Sequence, residues 1–174
     1  RKKSTTKSTA DPTVLLIYGG SRNCGMTAPA RDYFTSNVFR LACVWAEGRY
    51  ESWYVLSPMH GVVGPRYHIA HAQYDLLNQG DAAISAWAEK AARDTAAISG
   101  GTPVDVVAPQ RIVDALNRQA QTRGLGVEFR APFAGMRGGE QCRAMGEQID
   151  SGIEVDIDYA SEANDGKETI NPAG

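Results

Sequence analysis

No apolar run in this chain approaches the roughly 20 residues that a membrane-spanning helix needs. Its first residues hold no secretory h-region, because Arg1, Lys2, Lys3 and Lys7 stand among serines and threonines. Cysteine is scarce. The 3 cysteines, Cys24, Cys43 and Cys142, form no CxxC pair, and an odd count without metal-ligand spacing points to free thiols in a reducing, cytoplasmic setting. There is no GxxxxGK[ST] loop, which counts against a P-loop ATPase. There is no charge excess of the kind a basic nucleic-acid scaffold carries: 18 Lys and Arg stand against 20 Asp and Glu, a net charge of -2. A local basic patch remains compatible with that balance. Internal repeats are absent too.

What is present suits one domain with a real core: 174 residues, 43% hydrophobic and 22% charged. Residues 1–12 read as a disordered basic arm, since they offer no apolar anchor. Residues 151–174 read as an acidic tail, with Glu154, Asp156, Asp158, Glu162, Asp165 and Glu168 against Lys167. The tail's Ile153–Tyr159 part alternates with period two, which suits an edge strand before disorder.

Between the tails, strand and helix signals alternate over 13–150. Strands are expected at 13–18, 52–57, 104–107 and 127–129. Helices are expected near 36–47, capped by Ser36, and over 82–98, capped by Asp81. Two more follow, one from Pro109 to 123 and one from Gly138 to 149. Cys43 falls on the buried side of the first. The stretch 58–80 shows little period and reads as a long functional loop. Such alternation predicts a three-layer α/β domain with a mostly parallel four-stranded sheet in the order 2-1-3-4. Ligands of such sheets bind outside the carboxyl ends of the strands.

Two strands empty polar loops at that edge. Val14-Leu15-Leu16-Ile17-Tyr18 runs into Gly19-Gly20-Ser21-Arg22-Asn23-Cys24, and Trp53-Tyr54-Val55-Leu56 runs into Ser57-Pro58-Met59-His60-Gly61, with Tyr74-Asp75 beyond. His60 is the candidate general acid/base, because imidazole titrates near neutrality. Asp75 is the leading carboxylate, with a turn or cap role as the alternative. Ser57 lacks a Gly-x-Ser-x-Gly elbow and so orients a ligand or caps the turn rather than acting as nucleophile. Ser21 and Asn23 belong to the first loop and are expected to share one cleft with His60, Tyr74 and Asp75. Tyr74 and Tyr33 suit base stacking or core packing, and Arg31 suits a phosphate contact. Gly138-Gly139 at a helix start offers bare N–H groups to an anion, while Glu140 suits a helix cap or a sugar or base edge. His60, His68 and His71 lie close in sequence, yet no Cys or paired carboxylate completes a ligand set, so neither metal nor cofactor is expected.

These motifs resemble a family of small bacterial and phage α/β proteins. The resemblance runs over about 14–148 and rests on Ala28-Pro29-Ala30-Arg31-Asp32-Tyr33-Phe34 with Ser36 and Phe39-Arg40, on Tyr54-Val55-Leu56-Ser57-Pro58-Met59-His60-Gly61, on Tyr74-Asp75-Leu76, and on Pro132-Phe133 through Gly138-Gly139-Glu140-Gln141. In that family the first loop often carries its cysteine earlier, so the resemblance lends Cys24 no role. More distantly the chain is similar to the peroxide-stress proteins and to the uracil-DNA-glycosylase-like domain of archaeosine synthase. The resemblance implies a uracil-DNA-glycosylase-like or Rossmann-like sheet and work on nucleobases, nucleotides or nucleic acid. Three readings follow. One is an enzyme that cleaves or exchanges an N-glycosidic bond, as a DNA glycosylase does, with Asp75 and His60 as its catalytic pair. Another is a non-catalytic nucleic-acid or nucleotide binder, with Arg22, Arg31, Arg40, Arg66 and Arg137 as a basic face for polymer. The last is a phage-type nucleotide or base-hypermodification enzyme.

Overall fold

The structure, a computed structural model, describes residues 11–153. In chain order its elements are β1 (Val14–Tyr18), β2 (Ala28–Pro29), α1 (Ala30–Tyr33), α2 (Asn37–Glu47), β3 (Ser52–Ser57), β4 (Gly61–Val63), β5 (His68–Ile69), a 3-10 turn (Leu76–Asn78), α3 (Asp81–Ser99), β6 (Val104–Val107), α4 (Gln110–Thr122), β7 (Phe129–Arg130) and α5 (Gly138–Ile153). The basic arm up to residue 10 and the proposed edge strand of the acidic tail lie outside the described residues.

The central sheet has the order β4-β3-β1-β6-β7. β1 pairs in parallel with β3 on one side and β6 on the other, and β6 pairs in parallel with β7. The expected order 2-1-3-4 is therefore present, but the sheet has five strands rather than four. The extra one, β4, folds back antiparallel on β3, with Ser57 opposite Gly61. It lies inside the stretch read as a loop, because three residues are too few to show a period. That stretch also holds β5, which pairs with β2 in a separate ribbon.

β1 is central because it is apolar at every position, which suits a strand covered on both faces. Leu15 and Ile17 face Phe39, Ala42 and Trp45 of α2 and Met145 of α5. Val14, Leu16 and Tyr18 face the opposite layer, with Trp87, Ala88 and Ala91 of α3 and Ile112 and Leu116 of α4. Leu15, Leu16 and Ile17 are fully buried. Each such side chain contributes about 1.5–3 kcal/mol of burial free energy. The pair α2 and α5, with the short α1, on one face and the pair α3 and α4 on the other make the fold three layers of α/β.

Local signals set most helix ends. The Ser36 side chain accepts from the Phe39 amide and caps α2 as expected. Pro109 precedes α4, and α5 opens at Gly138 but runs on to Ile153. Asp81 does not cap α3. Gly80 holds the cap position, and Asp81, the first helical residue, pairs with Arg111 at 2.8 Å. No helix among the described residues is long and apolar enough to cross a membrane.

Candidate functional site

After β1 the chain leaves the sheet to build α2 on one face. After the adjacent β6 it leaves to build α4 on the other face. Neighbouring strands whose continuations diverge in this way leave a crevice at their carboxyl ends. Here it is a cleft of about 600 Å³. Tyr18 and Gly19 border it from β1, Val107 and Ala108 from β6. Its walls are the starts of three helices (Ser36 and Val38 at α2, Pro109 at α4, Gly138 and Gln141 at α5) and the segment Asp75, Leu77 and Asn78. Gly20 and Ser21 complete the rim.

Among the described residues, no Lys or Arg lines this cleft. Its positive character comes from backbone, since each helix start presents amides without intrahelical partners and the positive end of a dipole. The negative group is Asp75. One of its carboxylate oxygens accepts from the Leu77 amide at 3.2 Å and the other from Asn78 Nδ2 at 2.9 Å. Asp75 thus caps the 3-10 turn while bordering the cleft. A carboxylate oxygen can accept more than one hydrogen bond, so Asp75 keeps capacity for a ligand. Burial pushes the Tyr18 phenol above its ordinary value, and the charges of Asp75 and Tyr74 push it further.

A narrow crevice adjoins the cleft at Gly20 and Ser21 and is lined also by Asn23, Tyr33, Ser57 and Tyr74. Most polar groups here hold the loops in place. Asn23 Oδ1 accepts from the Gly25 amide at 2.9 Å. Tyr33 is a core residue with 3% exposure, so it is no stacking platform. Its hydroxyl donates to the Ala72 carbonyl at 3.2 Å and lies 3.3 Å from His71 Nδ1. Ser57 is buried, and its Oγ accepts from the Met59 and His60 amides at 3.3 and 3.1 Å, a turn-capping role.

His60 lies elsewhere. Pro58, Met59 and His60 form the three-residue loop between β3 and β4, closed by Gly61 at φ 80. The His60 ring packs edge-on against Tyr67 at 5.9 Å, in a depression shared with Tyr74, Trp87 and Lys90. Asp75 does not line that depression. Of the five residues expected in one cleft, Ser21, Asn23, Tyr74 and Asp75 border the cleft and its adjoining crevice, and His60 does not. The physical reason is β4: it turns the strand end into a hairpin, whose loop residues serve the turn.

Other expected contacts are also engaged elsewhere. Arg31 pairs with Glu47 at 2.8 Å and lies 5.6 Å over the Trp53 ring, away from the cleft. Glu140 accepts from the Arg137 amide at 2.7 Å, the back half of a capping box. Gly139 and Glu140 line an outer depression, so only Gly138 of that trio borders the cleft. The three cysteines are free, and burial pushes the Cys43 thiol up to about 12. Among the described residues, no three His, Cys, Asp or Glu side chains are grouped to hold a metal ion.

The pKa of the Asp105 carboxyl, on β6, is raised by burial, with its bond to Tyr50 and the nearby Arg130 opposing the rise. Tyr50 donates to it at 2.6 Å. It lies opposite Leu15, toward the amino ends of the strands, and so ties the segment before β3 and β7 to the sheet rather than facing the cleft. Tyr18 and Asn78 border the cleft, yet the sequence reading gives neither a functional role. For Tyr18 the available signal is position, the last residue of a central strand before a Gly-Gly loop.

Residues 14–147 match the model of a Family of unknown function (DUF6884), and the chain belongs to that family. Neither a curated protein nor a solved structure matches it.

Proposed function

We propose that this member of the family binds a nucleotide-class ligand in the cleft between β1 and β6 and cleaves or exchanges its N-glycosidic bond. The observation that carries the reading is the meeting of one carboxylate with three helix starts at the point where the chain leaves the sheet in opposite directions. Helix starts favour a phosphate, and a cleft of about 600 Å³ is of a size for a mononucleotide or an extruded nucleotide. The likeness of the motifs to glycosylase-like domains supports the nucleobase class. In the proposed step water adds to the anomeric carbon as the carbon–nitrogen bond breaks. The base leaves with the bonding electrons and takes a proton. Asp75 stabilises the positive charge that develops on the sugar. His60, lining another depression, is no longer its partner in this scheme. No cofactor is needed. The free cysteines suit a cytoplasmic setting.

The test is release of free base, followed by liquid chromatography, from nucleotides, RNA and modified and unmodified DNA. The expected result is release that Asp75→Ala reduces on the order of 10²-fold or more. Binding without release from any substrate would instead favour a non-catalytic nucleotide-binding protein. One observation already favours that second reading: both oxygens of Asp75 accept bonds from its own 3-10 turn.

A further inference from the structure

Tyr18 ends β1, is 8% exposed and lines the cleft. Its ring is held edge-on to Trp87 with centroids 6.0 Å apart. Buried phenols ordinarily find a hydrogen-bond partner. The hydroxyl of Tyr33 has the Ala72 backbone, and that of Tyr50 has Asp105. No bond of the Tyr18 hydroxyl is found among the described residues, although the charge of Asp75 reaches it. A donor without a protein partner among the described residues, in the same cleft as the Asp75 carboxylate, calls for a group that completes the pair. That group must accept from a phenol and donate to a carboxylate. A hydroxyl does both, whereas a phosphate would be repelled by the Asp75 carboxylate.

We infer that Tyr18 is a ligand-binding residue whose hydroxyl donates to a sugar hydroxyl, which in turn donates to Asp75. The inference rests on the proposed nucleotide-class reading and deepens it by orienting the ligand. The sugar lies between Tyr18 and Asp75, and the phosphate lies toward the starts of α4 and α5. Burial keeps the phenol protonated, so it remains a donor throughout the neutral range.

The experiment is calorimetric titration of the full chain and of Tyr18→Phe with ribonucleoside monophosphates, their dideoxy counterparts and ribose 5-phosphate. Phenylalanine keeps the ring against Trp87, and the melting temperature of the variant reports that the fold is intact. Tyr18→Phe should weaken ribonucleotide binding on the order of tenfold. Removing the sugar hydroxyls should weaken binding to the full chain at least as much. The variant should no longer discriminate the two ligands to the same degree. Equal affinity of Tyr18→Phe and the unaltered chain for ribonucleotides overturns the inference and leaves the nucleotide reading standing. Equal affinity of the unaltered chain for ribonucleotides and dideoxynucleotides does the same. Binding of ribose 5-phosphate with no gain from a base, lost in Tyr18→Phe, supports the role of Tyr18 and overturns the nucleobase reading. Binding of none of these probes overturns both.

Discussion

Two strand ends at the same edge of the sheet have opposite fates. β1 ends in Tyr18 and Gly19, next to β6, and the two chains part to opposite faces. β3 ends in Ser57 and turns back as β4. The first arrangement leaves a cleft, with helix starts and a carboxylate unsatisfied by neighbours in part. The second consumes its polar groups: Ser57 Oγ caps the turn, and the Ser57 carbonyl accepts from Trp87 Nε1 at 2.9 Å. A polar strand end is therefore a candidate site only where the chain diverges from its neighbour.

Altering one residue at each strand end separates the two most sharply. Asp75→Ala should reduce base release on the order of 10²-fold or more, and loss of its capping bonds should cost about 1 kcal/mol of stability. His60→Ala should leave the rate within about threefold, as expected for a residue outside the transition state. A His60→Ala loss equal to that of Asp75→Ala would mean that the hairpin and the cleft act as one site. Chromatography of the released base and denaturant unfolding of both variants supply the two readouts.

Glycine substitutions separate the regions next. A Cβ at Gly19 would lie 2.6 Å from ring atoms of the buried Phe34. Gly19→Ala should cost about 1–3 kcal/mol of stability through that overpacking, and it should weaken ligand binding because Gly19 borders the cleft. Gly61 sits at φ 80, and a Cβ added there would meet only Lys90 Nζ, at 3.6 Å, so its cost is backbone strain. Gly61→Ala should cost about 1–2 kcal/mol and leave ligand affinity unchanged. Thermal unfolding and titration of each variant check both statements.

The smallest effect belongs to Arg31. Its ion pair with Glu47 is partly exposed, 39% and 48% by side chain. Arg31→Ala should therefore cost less than about 1 kcal/mol and should not change nucleotide affinity. A marked loss of affinity would place a ligand phosphate near α1 instead of in the cleft.

The sheet order was legible because Val14–Ile17 and Val55–Leu56 are apolar, as are Val104, Val106 and Val107 around the single Asp105, where strands are covered on both faces. Ser36 marked the start of α2 by the chemistry of its side chain. β4 was not legible: Gly61-Val62-Val63 is too short for a period, although Pro58 and Gly61 are the residues a tight hairpin asks for. Missing that hairpin is what joined His60 to Asp75. The loops of Ser21, Tyr74 and Asp75 were legible as rim residues because a Gly-Gly turn and a Tyr-Asp pair follow strand ends. Arg31 was misplaced because sequence adjacency does not reveal that Glu47 and Trp53 already serve it, whereas Tyr33 took the core-packing alternative, its hydroxyl on the Ala72 carbonyl. Tyr18 stayed hidden because an aromatic at a strand end reads as core, and only the absence of a partner for its hydroxyl among the described residues separates the two roles.

Backbone-amide chemical-shift mapping during titration with ribonucleoside monophosphates tests the location of the site most directly. The amides of Gly19, Gly20, Ser21, Asn78 and Gly138 should shift with ligand, while those of Gly61, Val62 and Val63 in the hairpin should not. Shifts centred on His60, Gly61 and Tyr67, with the amides around the β1–β6 cleft unmoved, would contradict it.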